Sequence, residues 1–502
     1  MVRDSFSHGR PPGRPVPADP TGSAGAGHPP DRDGWGGTGT LGCQGPGVAL
    51  VDAAAPSDPW DYDRLWERAQ GRAKRLRTQG LRPGQLVAVP VRCGLDLPLM
   101  QHALALVPAA LLAVEDDPVC GHLTKRLAAT GAEWIWRPEG PEGGHLVSTG
   151  LQTVRSSASP SWRSPLALVV ETSGSSGAPR AVKLTAANLR GTAARVNRHL
   201  GHGPGDARLF CLPLRHIGGL SIPYRCALAG AALVLHQGFR TEAVATDLER
   251  RGVTHLSLVP PMLARLLELG RPPPASLRVA LVGGQSLSRS LAARALDAGW
   301  PLYLSYGMTE TASQVACSDR LMAAPGAGAV GRPLPGVEID CPICPSGGVL
   351  RVRGPMVMAG YANPQRLPGQ GLEDGWLLTS DLACLDPAGV LHCLGRADAV
   401  LVTAGIKVQP AKVEAALAES PGVREVAVVG VPDAVWGQRL AALYTGPATP
   451  AELGAWCRGQ LPGPERPRTF IQCATLPRLP SGKLDRQRLQ ELAAAQGVES
   501  GL

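Results

Sequence analysis

The stretch VETSGSSGAPRAVK, residues 170–183, follows the apolar run LALVV (166–170) and decides how the chain is read. An apolar strand ends, and the chain then presents hydroxyls and glycines, followed by Arg180 and Lys183. Glycines let backbone N–H groups converge on an anion, Ser and Thr add donors, and a basic side chain adds charge. Thr172, Ser173, Gly174, Ser175, Ser176 and Gly177 are therefore candidates for cradling a polyphosphate. The order GxxxxGK[ST] is missing from this segment, which disfavours P-loop chemistry.

Outward from this loop, short apolar runs recur: RLFCLPL (208–214), AALVLH (231–236), THLSLV (254–259), LRVALVGG (277–284) and PLYLSYG (301–307). Helix-like stretches lie between several of them. On the N-terminal side, Tyr62, Leu65, Trp66, Ala69 and Ala73 recur at helical spacing before the strand-like LVAVPV (86–91). The alternation predicts an α/β fold with largely parallel sheets. Residues 97–114 are apolar but contain Pro98, Gln101, His102 and Pro108, which predicts a buried helix rather than a membrane span. From about residue 328 short strands with Gly/Pro turns, such as GGVLRVRG (347–354), predict a small β subdomain. After Arg396 helical and EVAVVGV (425–431) segments form what reads as a small α+β unit. The predicted division is a disordered tail over 1–45, a large domain over 46–395 with two helix-flanked sheets, and a small mobile domain over 396–502.

The chain has 502 residues and a net charge of +9. Residues 1–40 carry four arginines and four aspartates, so the tail is neutral and no basic arm is present. The diffuse excess elsewhere lacks clustering and aromatic interleaving, which argues against a nucleic-acid partner. No signal peptide is read at the N-terminus. Cys341 and Cys344 form a CxxC without a second pair, so free thiols are expected there rather than a metal site, and the compartment is expected to be cytoplasmic. Lysine occurs only at 74, 125, 183, 407, 412 and 483. Lys74 and Lys125 read as solvated helix positions, and Lys407 and Lys412 as surface residues.

Four further motifs follow in order: YGMTETASQ (306–314), TSD (379–381), LGRAD (394–398) and LPSGKLD (479–485). Together with TSGSSG, their order and spacing resemble the adenylate-forming enzymes, a family of acyl-CoA synthetases, peptide-synthetase adenylation domains and luciferases. The resemblance covers about residues 50–490. It implies that 172–177 cover the ATP phosphates, that Glu310 holds Mg²⁺, and that Thr309 bonds the α-phosphate. Gly283, Gly284 and Gln285 would lie along the adenine with Tyr306 stacked on it, beside Gly307 and Met308. Asp381 would accept from the ribose hydroxyls, Arg396 would add a second contact, and Asp398 would be the hinge of the C-terminal domain. Lys483 would place a compact ammonium where charge develops as pyrophosphate leaves. The chain departs from the family pattern at Pro179-Arg180-Ala181, at Ser380 where Gly is usual, and at Ala404-Gly405-Ile406-Lys407, which lacks the usual acidic residue.

Three segments narrow the resemblance. FCLPLRHIGGLS (210–221), SYGMTETASQV (305–315) and VPDAVWGQ (431–438) are similar to o-succinylbenzoate–CoA ligases of menaquinone and phylloquinone synthesis. That similarity implies an aromatic acid with two carboxylates as substrate, ATP and coenzyme A as co-substrates, and His216 and Ser313 near the acid; Arg215 is a second possible cation that the family does not mark. Other aryl- or fatty-acyl-CoA ligases and carrier-protein-loading enzymes remain alternatives. A non-catalytic nucleotide-binding protein is a third, against which the intact Thr309, Glu310, Asp381 and Lys483 argue.

Overall fold

The computed structural model describes residues 48–53, 58–90, 94–114, 121–139, 143–151, 164–172, 180–236, 238–344, 347–362, 371–433, 435–479 and 484–499. The expected tail over 1–45, loop residues Ser173 to Gly177, and Lys483 lie outside these.

The molecule is of mixed α/β class, with two large sheets preceding a smaller C-terminal part. In the first sheet Leu166–Thr172, Ala110–Val114, Leu86–Pro90 and Trp134–Glu139 run parallel. Arg180–Thr185 folds back antiparallel to Leu166–Thr172, and Gly360–Tyr361 pairs antiparallel outside it. In the second sheet Val48–Asp52, Ala232–Leu235, Ala207–Phe210, His255–Leu258, Val279–Val282 and Leu302–Met308 are parallel neighbours in that order. Beyond Leu302–Met308 the ladder continues antiparallel through Ser313–Cys317, Ala329–Pro333, Leu391–Arg396, Trp376–Leu385 and Gly348–Arg353. The expected β subdomain is therefore hydrogen-bonded in continuity with the second sheet.

Residues 97–114 are not one helix. Asp96–Leu106 is helical and Ala110–Val114 is a strand buried on both faces. Pro108, with φ +35°, breaks the run between them. A fully buried helix and a fully buried strand both read as continuous apolar sequence, so periodicity does not separate them.

Helix Ala186–Leu200 shows why these elements form. Thr185 and Asn188 make a reciprocal capping box at its start, and Gly201 ends it in the left-handed region at φ +60°. Its buried Leu189, Ala193, Val196 and Leu200 recur every three or four residues and face the core. One large apolar cluster joins both sheets, from Val87, Leu111 and Val170 to Leu220, Leu233, Ala312 and Val315.

After residue 400 a hairpin of Leu401–Thr403 and Ile406–Val408 precedes a three-stranded sheet of Glu425–Asp433, Gly437–Thr445 and Thr469–Gln472. This sheet separates two apolar clusters. One forms around Val413, Val428 and Tyr444, the other around Val429, Leu443 and Leu489.

Cys344 is not a free thiol: it is disulfide-bonded to Cys384. The expectation of free thiols rests on the local CxxC spacing alone, whereas the partner of Cys344 lies 40 residues on in the Trp376–Leu385 strand. The 341–344 segment reaches that strand because Leu385 N–H donates to the Pro342 carbonyl at 3.0 Å and Cys344 N–H donates to the Leu385 carbonyl at 2.9 Å. Cys341 remains free.

Candidate active site

The six parallel strands of the second sheet end on one side. Past their C-terminal ends follow His216, residues 283–285 and the 309–311 turn, the position where open parallel sheets take ligands.

The Leu302–Met308 strand enters a 3₁₀ turn, Thr309–Thr311, and returns antiparallel as Ser313–Cys317. The return is very close. A Cβ at Gly307 would lie 1.8 Å from the Ser313 carbonyl oxygen, so only glycine fits. Ala312 and Ser313 adopt φ of +52° and +119°, and Ser313 is buried. Thr311, to which the sequence reading gave no role, ties the turn. Its hydroxyl is shared between the carbonyls of Met308 (3.1 Å) and Ser313 (2.9 Å). Thr309 and Glu310 are held half-buried at the head of this turn.

Residues 283–285 leave the neighbouring strand against the same element. A Cβ at Gly283 would meet Ser305 Oγ at 2.5 Å, and Gly284 takes φ +77°, so both positions favour glycine. Gln285 follows, half-buried.

Tyr306, Asp381, Arg396 and Asp398, separated in sequence, form one hydrogen-bonded network. Asp381 and Arg396 face each other across paired strands. The Tyr306 hydroxyl donates to Asp381 Oδ2 at 2.5 Å, and Arg396 Nη1 donates to Asp381 Oδ1 at 3.3 Å. Arg396 also grips Asp398 through Nε (2.8 Å) and Nη2 (2.6 Å). Burial, reinforced by the Asp381 charge, pushes the Tyr306 phenol far up, so it stays a donor. The hydrogen bond to Asp398 holds the Arg396 guanidinium charged.

Where the strand Leu166–Thr172 ends, Thr172 Oγ1 donates to the Arg180 carbonyl at 3.2 Å. Of the two basic residues read there, only Arg180 is exposed, whereas Lys183 is completely buried. Lys74, Lys125, Lys407 and Lys412 are all exposed, and Lys412 pairs with Glu465 at 2.7 Å. His216 is the half-buried residue preceding helix Ile217–Ala229.

A feature the sequence reading missed joins that helix to the strand Ala207–Phe210. Arg225 and Arg208 are 1% and 0% exposed. Arg225 Nη2 donates to Gln314 Oε1, beside Ser313, and Arg208 Nη2 donates to Ser257 Oγ at 2.7 Å. Arg225 Nε, and Nε and Nη1 of Arg208, have no hydrogen-bond partner among the described residues. Burial, with the Arg208 charge adding to it, pushes the Arg225 guanidinium down to about 9. Two buried cations with no carboxylate bound to them among the described residues are costly unless an anion joins them. The available signal was an arginine inside an otherwise apolar helix, IGGLSIPYRCALA.

The donor set also bears on a metal ion. Among the described residues no group of three or more His, Cys, Asp or Glu could cage one. A single carboxylate, Glu310, fits a hard cation carried mainly by nucleotide phosphates.

Comparison with known proteins agrees with this geometry. Residues 44–362 match the family model "AMP-binding enzyme", and residues 412–483 match "AMP-binding enzyme C-terminal domain". The chain is 31% identical over 459 residues to the 2-succinylbenzoate–CoA ligase of Bacillus thuringiensis subsp. konkukian (strain 97-27), covering 86% of this chain and 93% of that one. It is similar to the o-succinylbenzoate CoA synthetase of Bacillus subtilis in complex with its acyl-adenylate intermediate, with TM-score 0.75 and 27% identity over 88% of this chain and 95% of that one. The same enzyme with ATP and a magnesium ion gives TM-score 0.75 and 27% identity over 88% and 96%.

Proposed function

This chain belongs to the AMP-binding enzyme family, and from that premise we propose that it joins o-succinylbenzoate to coenzyme A at the expense of ATP. The observation that carries the substrate reading is the buried pair Arg208 and Arg225, of which Arg225 donates to Gln314 beside the 309–311 turn. An acid with two carboxylates can send one to the nucleotide and leave the other for these cations. The similarity to 2-succinylbenzoate–CoA ligases supports the same acid.

The chemistry runs in two displacements. A carboxylate oxygen attacks the α-phosphorus of ATP, and pyrophosphate leaves with the bond it breaks. No general base is needed, because the acid is already ionised. The coenzyme A thiol, as thiolate, then attacks the acyl carbon of the mixed anhydride, and AMP leaves. Thr309 donates to the α-phosphate, and residues 172–177 cover the outer phosphates. Magnesium, when bound at Glu310, neutralises phosphate charge. Asp381 accepts from the ribose, with Tyr306 fixing the carboxylate that does so, and residues 283–285 line the adenine. Lys483 supplies the ammonium at the reacting carboxylate. His216 and Ser313 border the acid.

Residues 396–502 act as a lid that turns about Asp398 between the two displacements, one domain serving two chemistries. Support comes from the separate apolar clusters after residue 400 and from Arg396, which bonds both Asp381 and Asp398. A cytoplasmic location accords with the use of ATP and coenzyme A. Among the described residues no helix is long and apolar enough to cross a membrane.

The test is ATP–pyrophosphate exchange over a panel of acids. Exchange should be strongest with o-succinylbenzoate and weak with benzoate and fatty acids. Strong exchange with another acid, and none with o-succinylbenzoate, would replace the substrate.

A further inference from the structure

Residues 355–362 form a strap that joins helix Ala186–Leu200, the 309–311 turn and the Arg180–Thr185 strand, to which the reading above gives no role. Its start is bound from helix Ala186–Leu200, where Asn188 Nδ2 donates to the carbonyls of Pro355 (2.9 Å) and Val357 (2.7 Å). In its middle, Met358 N–H donates to the main-chain carbonyl of Glu310 at 2.8 Å. Its end pairs with the strand that closes the phosphate loop, placing Gly360 opposite Lys183 and Tyr361 opposite Val182. The strap thus bonds both the turn that carries Glu310 and the strand that begins at Arg180.

One side chain repeats that bridge. The Tyr361 hydroxyl donates to Glu310 Oε1 at 3.2 Å. The Arg180 guanidinium stands 5.4 Å from the centre of the Tyr361 ring, a cation–π distance. From another side the ring is confined by Gly371, where a Cβ would lie 2.5 Å from it.

We infer that Tyr361 is a positioning residue for Glu310: its hydroxyl fixes the carboxylate that takes the divalent cation, and its ring ties that carboxylate to Arg180 at the base of the phosphate loop. The inference rests on the reading of Glu310 as the cation's carboxylate. A carboxylate already oriented loses less freedom when the nucleotide and its cation arrive.

The experiment uses the full chain with Tyr361→Phe, which keeps the ring and removes only the hydroxyl, beside Glu310→Gln. Two quantities are measured: the Mg²⁺ concentration for half-maximal ATP–pyrophosphate exchange, and ATP binding by calorimetry with Mg²⁺ and with EDTA. Tyr361→Phe should raise the Mg²⁺ midpoint about tenfold, the low end for a hydrogen bond to a charged group. At saturating Mg²⁺ its kcat should stay within about twofold, because the hydroxyl touches no reacting atom. Its ATP affinity in EDTA should match the unaltered enzyme, with the gain on adding Mg²⁺ reduced. Glu310→Gln should move the midpoint further. If Glu310→Gln shifts the midpoint and Tyr361→Phe does not, or Tyr361→Phe lowers kcat equally at every Mg²⁺ concentration, the positioning role is overturned. If Glu310→Gln leaves the midpoint in place, the assignment of Glu310 itself fails. Thermal melting of both variants shows whether an unshifted midpoint comes from folded protein.

Discussion

Replacing Arg225 by methionine should stabilise the resting enzyme and weaken it toward its acid, two effects of opposite sign from one change. Arg225 is 1% exposed, and burial pushes its guanidinium from 12.5 down to about 9. At about 1.4 kcal/mol for each pH unit, keeping that charge inside the fold costs on the order of 5 kcal/mol. The sign is that of a base depressed by folding: below pH 9 the group is charged in both states, so the full cost is present at pH 7. Methionine has a similar length, fills the space and carries no charge. Its cost is the stranded Gln314 Oε1, which loses the Arg225 donor at up to about 3 kcal/mol. The balance is a gain of about 2 kcal/mol, in line with other replacements of buried charges by apolar groups. On the substrate side, a charge-assisted hydrogen bond to the distal carboxylate is worth about 1.5–3 kcal/mol, or roughly 10- to 150-fold in KM. The assays are urea unfolding of both proteins without ligand and KM for o-succinylbenzoate beside benzoate in the exchange reaction. Benzoate, with no distal carboxylate, should show no such rise. A variant that is less stable and has an unaltered KM for o-succinylbenzoate would refute the assignment, leaving Arg225 as a structural residue.

Two more outcomes follow from the geometry. Gly307→Ala puts a methyl 1.8 Å from the Ser313 carbonyl oxygen, so the catalytic turn must open; adenylation should fall by more than about 100-fold, as for other displacements of about 1 Å near a reacting centre, while circular dichroism stays native. Removing the Cys344–Cys384 bridge, which closes a 40-residue span, should lower stability by about 4 kcal/mol in guanidinium unfolding, by loop entropy.

What could be read from sequence was what short segments carry by themselves. The YGMTE and LGRAD segments sit at strand ends, Thr172 closes the strand Leu166–Thr172, TSD lies within the Trp376–Leu385 strand, and strand pairing brings Tyr306, Asp381, Arg396 and Asp398 into one network. The parallel core was legible because its strands are buried on both faces and so read as unbroken apolar runs. The missed features depend on contacts that no local pattern encodes. Arg225 stands out as an arginine in an apolar helical run, but only the burial of that helix on nearly every side makes it an enclosed cation. Tyr361 matters only because its strand pairs with residues about 180 positions earlier. Cys344 finds Cys384 through backbone hydrogen bonds around Leu385, not through spacing. The boundary within 97–114 turns on Pro108, whose φ of +35° separates helix from strand but which in the sequence argues only against a membrane span.

The central claim is that the acid is activated by displacement at the α-phosphorus of ATP. Its most direct test is transfer of label from o-succinylbenzoate carrying ¹⁸O in its carboxylates, with ATP, Mg²⁺ and coenzyme A, followed by mass spectrometry of the products. One ¹⁸O should appear in AMP and none in pyrophosphate. Label in orthophosphate with formation of ADP, or unlabelled AMP alongside the thioester, would contradict the account.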